Sequence, residues 1–135
     1  GVKDATADLT RPTLTRVAIP GDFNQMSGED GTAIGYFAQG GHGCISVSSN
    51  VAPRACAEFY AAWKARDVAK ALKLHTRLMP LHDVLFCESN PIPVKYAAHL
   101  LGKCRTDMRL PMCQPSTESK QRIKATLRDL ALLSD

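Results

Sequence analysis

The sequence lacks any run of apolar residues long enough to cross a membrane. A spanning helix needs roughly 18 consecutive, predominantly apolar residues, and no apolar run in these 135 residues approaches that length. The first residues also lack the basic segment, apolar run and cleavage site of a secretory signal. The sequence therefore predicts a protein that neither enters a membrane nor is secreted.

Cysteine and histidine show none of the spacings that disulfide frameworks or metal sites require. The five cysteines are odd in number, widely scattered and without a Cys-x-x-Cys pair. The four histidines lack a His-x-x-x-His pair and a nearby carboxylate cluster. We expect reduced thiols, a cytoplasmic location and no bound metal. These residues are Cys44, Cys56, Cys87, Cys104, Cys113, His42, His75, His82 and His99.

A dense basic block is absent as well. The formal net charge is only +4, and acidic residues are interleaved with the lysines and arginines. Proteins that follow a phosphate backbone concentrate positive charge on one surface or segment. The sequence therefore predicts no nucleic-acid partner. The glycines at 40, 41 and 43 precede a predicted strand, whereas a dinucleotide fingerprint follows one, so we expect no nucleotide site either.

Short strands and helices alternate in the first third of the chain. Strands are predicted at residues 1–3, 23–27 and 44–48, with helices at 9–17 and 31–39 between them. Asp8 and Asp30 precede these helices and are predicted to cap them. Strands that alternate with helices across short loops indicate βα units and a parallel sheet.

From Asn50 onward the pattern is helical. Asn50 is predicted to cap a helix over 51–66, and Asp67 is predicted to start a second helix. A short helix is predicted over 94–101, and Ser116 is predicted to cap the last helix. The second helix carries an apolar stripe in which His82 is predicted to be a hydrogen-bonded core or interface histidine. The stripe consists of Val68, Ala71, Leu72, His75, Leu78, Met79, His82, Leu85 and Phe86. The last helix is predicted to bury Ile123, Leu127 and Leu130. The three tyrosines are predicted to be packing residues within helices; they are Tyr36, Tyr60 and Tyr96.

Six motifs in fixed order resemble those of the dihydrodipicolinate synthase family across essentially the whole chain. They are Gly1-Val2-Lys3-Asp4-Ala5-Thr6, Ser27-Gly28-Glu29-Asp30, Gly40-Gly41-His42-Gly43-Cys44-Ile45-Ser46-Val47, Arg77-Leu78-Met79-Pro80-Leu81-His82, Asn90-Pro91-Ile92-Pro93-Val94-Lys95 and Arg109-Leu110-Pro111-Met112. The first and third are shared with the wider family of pyruvate-dependent lyases and aldolases, which includes N-acetylneuraminate lyase. The last three are more particular to the synthase.

The resemblance implies an α/β fold, namely the C-terminal portion of a TIM (β/α)8 barrel followed by a small helical C-terminal domain. Residues 1–66 are then expected to supply strands six to eight of the barrel, and residues 67–135 the helical domain. Strands one to five are not in this sequence. The resemblance also implies a homo-oligomer, usually a tetramer made of two dimers. It leaves open whether a complementary N-terminal half-barrel chain exists.

Lys3 is the Schiff-base lysine that the resemblance implies, and Gly28 and Ile45 are the substrate-binding residues. A Schiff base requires a neutral amine, whereas a free lysine titrates near about 10.4, so burial at the barrel mouth is expected to lower its pKa. From its three-residue context alone, Lys3 is better interpreted as a solvated residue near the chain end. The family motif decides in favour of the catalytic role.

The implied function is the condensation of pyruvate with L-aspartate 4-semialdehyde in lysine biosynthesis, through the diaminopimelate pathway. No cofactor or metal is expected, because the iminium on Lys3 is itself the electron sink. Two alternatives remain open. One is another pyruvate-dependent aldolase of the same family, acting on a sugar acid or on N-acetylneuraminate. The other is a non-catalytic half-barrel fragment.

Overall fold

Three short strands lie side by side and run in the same direction. The computed structural model describes residues 1–133. In it β1 spans Val2–Asp4, β2 spans Gln25–Ser27 and β3 spans Gly43–Cys44. The strands are parallel and ordered β1, β2, β3 in the sheet, with Lys3 opposite Met26. Parallel neighbours require a crossover connection, and a helix follows each of the first two strands. The predicted parallel sheet is confirmed.

The two crossover helices begin later than the sequence pattern predicts. They are α1, Arg11–Ala18, and α2, Ala33–Ala38. The predicted caps are wrong, because the N-cap residues are Thr10 and Thr32, and neither side chain makes a capping hydrogen bond. Asp8 instead accepts hydrogen bonds from the Thr10 amide at 2.9 Å and the Thr10 hydroxyl at 2.7 Å. These bonds form a polar turn before α1.

The third strand ends earlier than predicted, at Cys44 rather than Ser48. Asp30, which does not cap α2, accepts hydrogen bonds from the Val47 and Ser48 amides at 2.8 and 3.1 Å. These amides are therefore not available to a strand ladder, and residues 48–50 form a short 3₁₀ turn instead. Asn50 lies within that turn and does not cap the next helix.

Four helices make up the rest of the chain. They are α3, Pro53–Lys64; α4, Val68–Val84; α5, Ile92–Leu100; and α6, Thr117–Asp129. The predicted cap at Ser116 is confirmed, because its Oγ accepts from the Ser119 amide at 3.2 Å. Asp67, the predicted start of the second helix, is the N-cap of α4, and its Oδ1 accepts from the Lys70 amide at 3.0 Å. Gly102 follows the end of α5 with a positive φ of 68°, a conformation that favours glycine. None of the helices in residues 1–133 is long and apolar enough to cross a membrane.

Two clusters of buried side chains hold the helices together. In the larger one, the fully buried Leu81 of α4 and Leu85, which directly follows α4, pack with Ile123 and Leu127 of α6. The predicted buried face of α6 is thus confirmed at two positions, and Leu130 packs partly buried against the same cluster. The smaller cluster joins α2, α3 and α4, and its members are Ala33, Phe37, Phe59, Ala62 and Ala71.

The apolar stripe of α4 is only partly buried. His75, Leu78 and His82 are buried, as predicted for a packing face. Other members of the stripe remain substantially exposed, namely Val68, Leu72, Met79 and Phe86. Among the described residues, α3 and α6 both pack against α4. Their contacts cover one side of the stripe.

Candidate active site

The three predicted site residues lie at the same end of the sheet. Lys3 is in β1, Gly28 directly follows β2 and Ile45 directly follows β3. The Gly28 amide donates a hydrogen bond to the Asp4 carbonyl at 2.6 Å, and the Ile45 amide donates to the Ser27 carbonyl at 2.8 Å. The carboxyl ends of parallel strands meet at one edge, which is where barrel enzymes carry their chemistry.

Gly28 lies directly against the Lys3 side chain. A methyl group built at position 28 would lie 2.7 Å from Lys3 Cε and 2.8 Å from the Ala5 methyl group, closer than carbon atoms approach one another. Gly28 is not among the glycines with a positive φ, so the backbone conformation does not require glycine here. The requirement is space for the lysine stem.

Lys3 and Ile45 line one open cavity of about 480 Å³. Two further lysines line it, Lys95 and Lys103, together with Asn90, and no acidic side chain is among its described lining residues. Ile45 is 48% exposed and Lys3 is exposed as well. The sequence argument did not assign a role to Asn90, Lys95 or Lys103, although the motif that contains Asn90 and Lys95 was among those that carry the family resemblance.

Asp4 fixes the end of β1 from the side opposite the cavity. Its carboxylate is buried and accepts hydrogen bonds from the Thr6 amide at 2.9 Å, the Thr6 hydroxyl at 2.6 Å and Arg11 Nε at 2.6 Å. Burial by itself would raise the pKa of Asp4, but the hydrogen bonds from Thr6 and Arg11 outweigh it and lower the pKa. The strand that carries Lys3 thus ends in a fixed negative charge.

The residues after β3 form a turn, which we call the wall turn (residues 45–50). Ile45, Ser46, Val47 and Asn50 line the cavity with Lys3. Behind the cavity, Ser48 is completely buried, and its Oγ lies 2.7 Å from Nδ1 of His82 in α4. His82 is therefore a buried, hydrogen-bonded histidine, as predicted. Burial lowers its pKa, as does the nearby His75, whereas the Asp30 carboxylate acts in the opposite direction.

A second cavity, of about 340 Å³, lies between β3 and α3 and contains two thiols, Cys44 and Cys56. Burial and the charge of Asp30 raise the pKa of Cys44 to about 12 and that of Cys56 to about 11. Both thiols are therefore protonated at neutral pH and are poor nucleophiles. All five cysteines of the chain are free.

The described residues offer no other obvious centre of chemistry. Within residues 1–133, no group of three or more His, Cys, Asp and Glu side chains could hold a metal ion. The three tyrosines lie in helices, as predicted. The hydroxyl of Tyr60 donates to the His42 carbonyl at 2.6 Å, and Tyr36 is buried. None of the three tyrosines lines the cavity of Lys3.

Known proteins of one family are similar to this chain over nearly its whole length. The sequence model of the dihydrodipicolinate synthetase family matches residues 1–130. The chain belongs to this family. Two relatives named 4-hydroxy-tetrahydrodipicolinate synthase, from Bradyrhizobium diazoefficiens and Rhodospirillum centenum, are each 54% identical to it over 134 residues, which is 99% of this chain. The chain spans 45% and 46% of the lengths of these two relatives.

Solved structures of the family have the same fold over this region. Dihydrodipicolinate synthase from Thermotoga maritima superposes with a TM-score of 0.93 at 36% identity, over 98% of this chain and 46% of that one. The chloride-inhibited enzyme from Acinetobacter baumannii complexed with pyruvate gives 0.92 at 38% identity, with the same coverage of both chains. The chain thus corresponds to the C-terminal portion of the family's (β/α)8 barrel and the helices that follow it, as predicted.

Proposed function

We propose that this chain is the C-terminal part of a 4-hydroxy-tetrahydrodipicolinate synthase, a lyase of lysine biosynthesis in which Lys3 forms a Schiff base with pyruvate. The observation that carries the proposal is the position of Lys3: it lies against Gly28 and shares a cavity with Ile45. The two relatives that are 54% identical carry this enzyme name, which favours the synthase over a sugar-acid aldolase or N-acetylneuraminate lyase.

The proposed reaction uses the Lys3 amine as the nucleophile. Neutral Nζ attacks the keto carbon of pyruvate, and water leaves as the iminium forms. Loss of a proton from the methyl carbon gives an enamine, which adds to the aldehyde carbon of L-aspartate 4-semialdehyde. The amine of that substrate then attacks the iminium carbon, and the ring closes as Lys3 is released. The iminium provides the electron sink, so that neither a cofactor nor a metal is needed.

Gly28 and Ile45 have different roles in this proposal. Gly28 leaves space for the Lys3 stem and for the approach of substrate to the backbone. Ile45 provides an apolar wall beside the carbons derived from pyruvate, where it excludes water from the enamine. The lysines at 95 and 103 make the cavity cationic, and this charge favours pyruvate and the carboxylate of the second substrate.

The proposal also requires parts that lie outside this sequence. Lys3 is exposed here, so these residues alone do not supply the desolvation that a neutral amine needs. We infer that strands one to five of the barrel cover the cavity, with residues 1–66 completing the barrel and residues 67–135 forming the helical domain. The missing half is either joined to this chain or supplied as a separate N-terminal chain. The assembled protein is expected to be a cytoplasmic homo-oligomer, namely a tetramer made of two dimers.

Borohydride trapping tests the assignment of Lys3. The protein to use is the full-length polypeptide, meaning this chain together with the N-terminal barrel half that its relatives have. Reduction in the presence of pyruvate is expected to add the mass of the reduced adduct to the peptide that contains Lys3. Lys95 and Lys103 line the same cavity and serve as internal controls for non-specific labelling. A label on either of them but not on Lys3, in an active enzyme, would exclude the assignment.

Product formation separates the alternative functions. The synthase is expected to consume pyruvate and L-aspartate 4-semialdehyde together, whereas an aldolase would release pyruvate from a sugar acid or from N-acetylneuraminate. A full-length polypeptide that traps no pyruvate at all would instead support a non-catalytic role for this half of the barrel.

A further inference from the structure

The wall turn is held in place from behind by groups that are distant in the sequence. Asp30 Oδ2 accepts hydrogen bonds from the Val47 and Ser48 amides at 2.8 and 3.1 Å. The Ser48 hydroxyl and His82 Nδ1 are 2.7 Å apart. Asp30, Ser48 and His82 are buried, with 5%, 0% and 5% of their surfaces exposed. Polar groups so deeply buried are costly unless they are paired, and these three pair with the wall turn or belong to it.

The opposite side of the wall turn faces the cavity. Ile45, Ser46 and Val47 line it together with Lys3. A displacement of residues 47–48 therefore moves the backbone that carries Ile45 relative to Lys3. Lys3 itself is held differently, through the ladder of β1 with β2 and its contact with Gly28. Both sides of the reacting centre contact β2, since the Ile45 amide donates to the Ser27 carbonyl, but the wall turn has an additional support from Asp30 and His82.

His82 belongs to α4, which lies well beyond the barrel strands in the sequence and contributes no lining residue to the Lys3 cavity. It reaches the wall turn from 34 residues away. The neighbouring His75 lies two turns earlier on the same helix and is also buried. Its ring lies 5.4 Å from the ring of Phe59 and 5.8 Å from that of His82, and it has no hydrogen bond to the wall turn among the described residues. His75 is therefore a matched control for His82, because both are buried on α4 and only His82 bonds to the wall turn.

We propose that His82 and Asp30 are positioning residues of the active site, which hold the wall turn so that Ile45 keeps its place beside the substrate carbons bound to Lys3. The inference rests on the proposed function of Lys3. His82 acts through Ser48 and touches no substrate. Its contribution falls on the step in which the enamine meets the second substrate, because that step depends on the wall that Ile45 forms.

The experiment compares His82→Leu, His82→Asn and His82→Gln in the full-length polypeptide. His82→Leu is expected to lower kcat for condensation roughly ten- to a hundredfold, since misplacement by about 1 Å has effects of this size. Trapping of pyruvate on Lys3 by borohydride is expected to change little. Asparagine places an amide where Nδ1 was and restores the hydrogen bond with Ser48, whereas the amide of glutamine lies nearer to the Nε2 position. Only His82→Asn should therefore recover kcat.

Two further variants separate positioning from stability. His75→Leu removes a buried histidine from the same helix and is expected to lower the melting temperature while condensation remains intact. If His82→Leu does not fold, Ser48→Ala removes the same hydrogen bond by deleting one oxygen atom, and it should show the same loss of kcat with trapping preserved.

The outcomes distinguish this inference from the proposed function. A wild-type protein that traps no pyruvate on Lys3 overturns the proposed function and the inference with it. Normal trapping in wild type overturns the inference alone if His82→Leu and His75→Leu lower kcat equally, if glutamine rescues as well as asparagine, or if Ser48→Ala has full activity. A selective loss in His82→Leu and Ser48→Ala, with rescue by asparagine, supports it.

Discussion

Gly28 leaves the space that the Lys3 side chain occupies. The contact between the Lys3 stem and Gly28 is so close that a methyl group at position 28 would lie 2.7 Å from Lys3 Cε. The sequence predicted that both residues belong to the site, and the structure brings them into contact. Their roles in substrate binding and catalysis stay predictions.

We predict that Gly28→Ala impairs Schiff-base formation. The added methyl group displaces the flexible lysine, so the rate of borohydride trapping with pyruvate in the full-length polypeptide should fall roughly ten- to a hundredfold. Gly21→Ala is the control, because Gly21 has a φ of +95° and nothing within 4 Å of the added atom. That variant should lose stability through backbone strain and keep its trapping rate. Equal trapping in Gly28→Ala and wild type would contradict the prediction.

The two buried histidines of α4 are predicted to make stability depend on pH. Burial lowers the pKa of His75 and of His82 from the ordinary value of 6.5; Asp30 opposes this at both residues, and so does the Gly31 backbone at His75. Both histidines therefore take up protons more readily in the unfolded chain. Their contribution to stability is complete above about pH 6.5 and is lost as the pH falls from there toward the folded-state pKa.

Denaturant unfolding at pH 7.5, 6.5 and 5.5 tests this pH dependence. The double variant His75→Phe, His82→Asn keeps a ring at the first position and the bond to Ser48 at the second, but it has no titrating imidazole at either. Its free energy of unfolding should change less across this range than that of wild type. Parallel curves for the two proteins would show that these histidines are not responsible.

At the scale of elements, caps were predictable where the acceptor and the amide are close in the sequence. Asp67 and Ser116 each accept from the amide three residues later. From the sequence, Ser116 was identified as a cap and Asp67 as the start of its helix. Asp30 is an aspartate before a helix, as Asp67 is, yet its carboxylate accepts hydrogen bonds from amides 17 and 18 residues away. Local pattern could not reveal that competition.

We predict that Asp67→Ala lowers the free energy of unfolding by about 1 kcal/mol, through loss of the cap on α4. Thr32→Ala is the matched control, since Thr32 is the N-cap residue of α2 but makes no side-chain capping bond. Its stability should change by much less. Chemical denaturation of the two variants beside wild type measures both effects, and equal losses would argue against a role for the Asp67 hydrogen bond.

At the scale of the whole molecule, the sheet is open at both sides. Within residues 1–133, β1 and β3 each pair with one neighbour only, which is β2. Unpaired strand edges and exposed apolar side chains favour association with other chains, and Leu14 and Val17 of α1 are 61% and 80% exposed. These features agree with a chain that spans less than half of its relatives.

We predict that residues 1–135 alone associate in solution and lack condensation activity. Light scattering during gel filtration measures the association. Loss of substrate positioning or of proton transfer costs on the order of a hundredfold or more in rate, and the isolated chain is expected to lack both. Mixing it with the N-terminal half of the barrel should restore activity. Full activity in the isolated chain would show that the other half is not needed for catalysis.

The sequence by itself determined the parallel βα order, the six helices in outline, the start of α4 at Asp67, the cap at Ser116 and the family, because periodicity, capping residues and short motifs are local properties of a chain. Tertiary structure decided where β3 ends, which side of the α4 stripe is buried and which lysines join Lys3 in its cavity. Those outcomes depend on pairs of groups brought together from distant positions, such as Ser48 and His82, which are 34 residues apart. A buried polar group pairs with whichever partner the fold places within reach. That partner cannot be predicted from the residues adjacent to the group in the sequence.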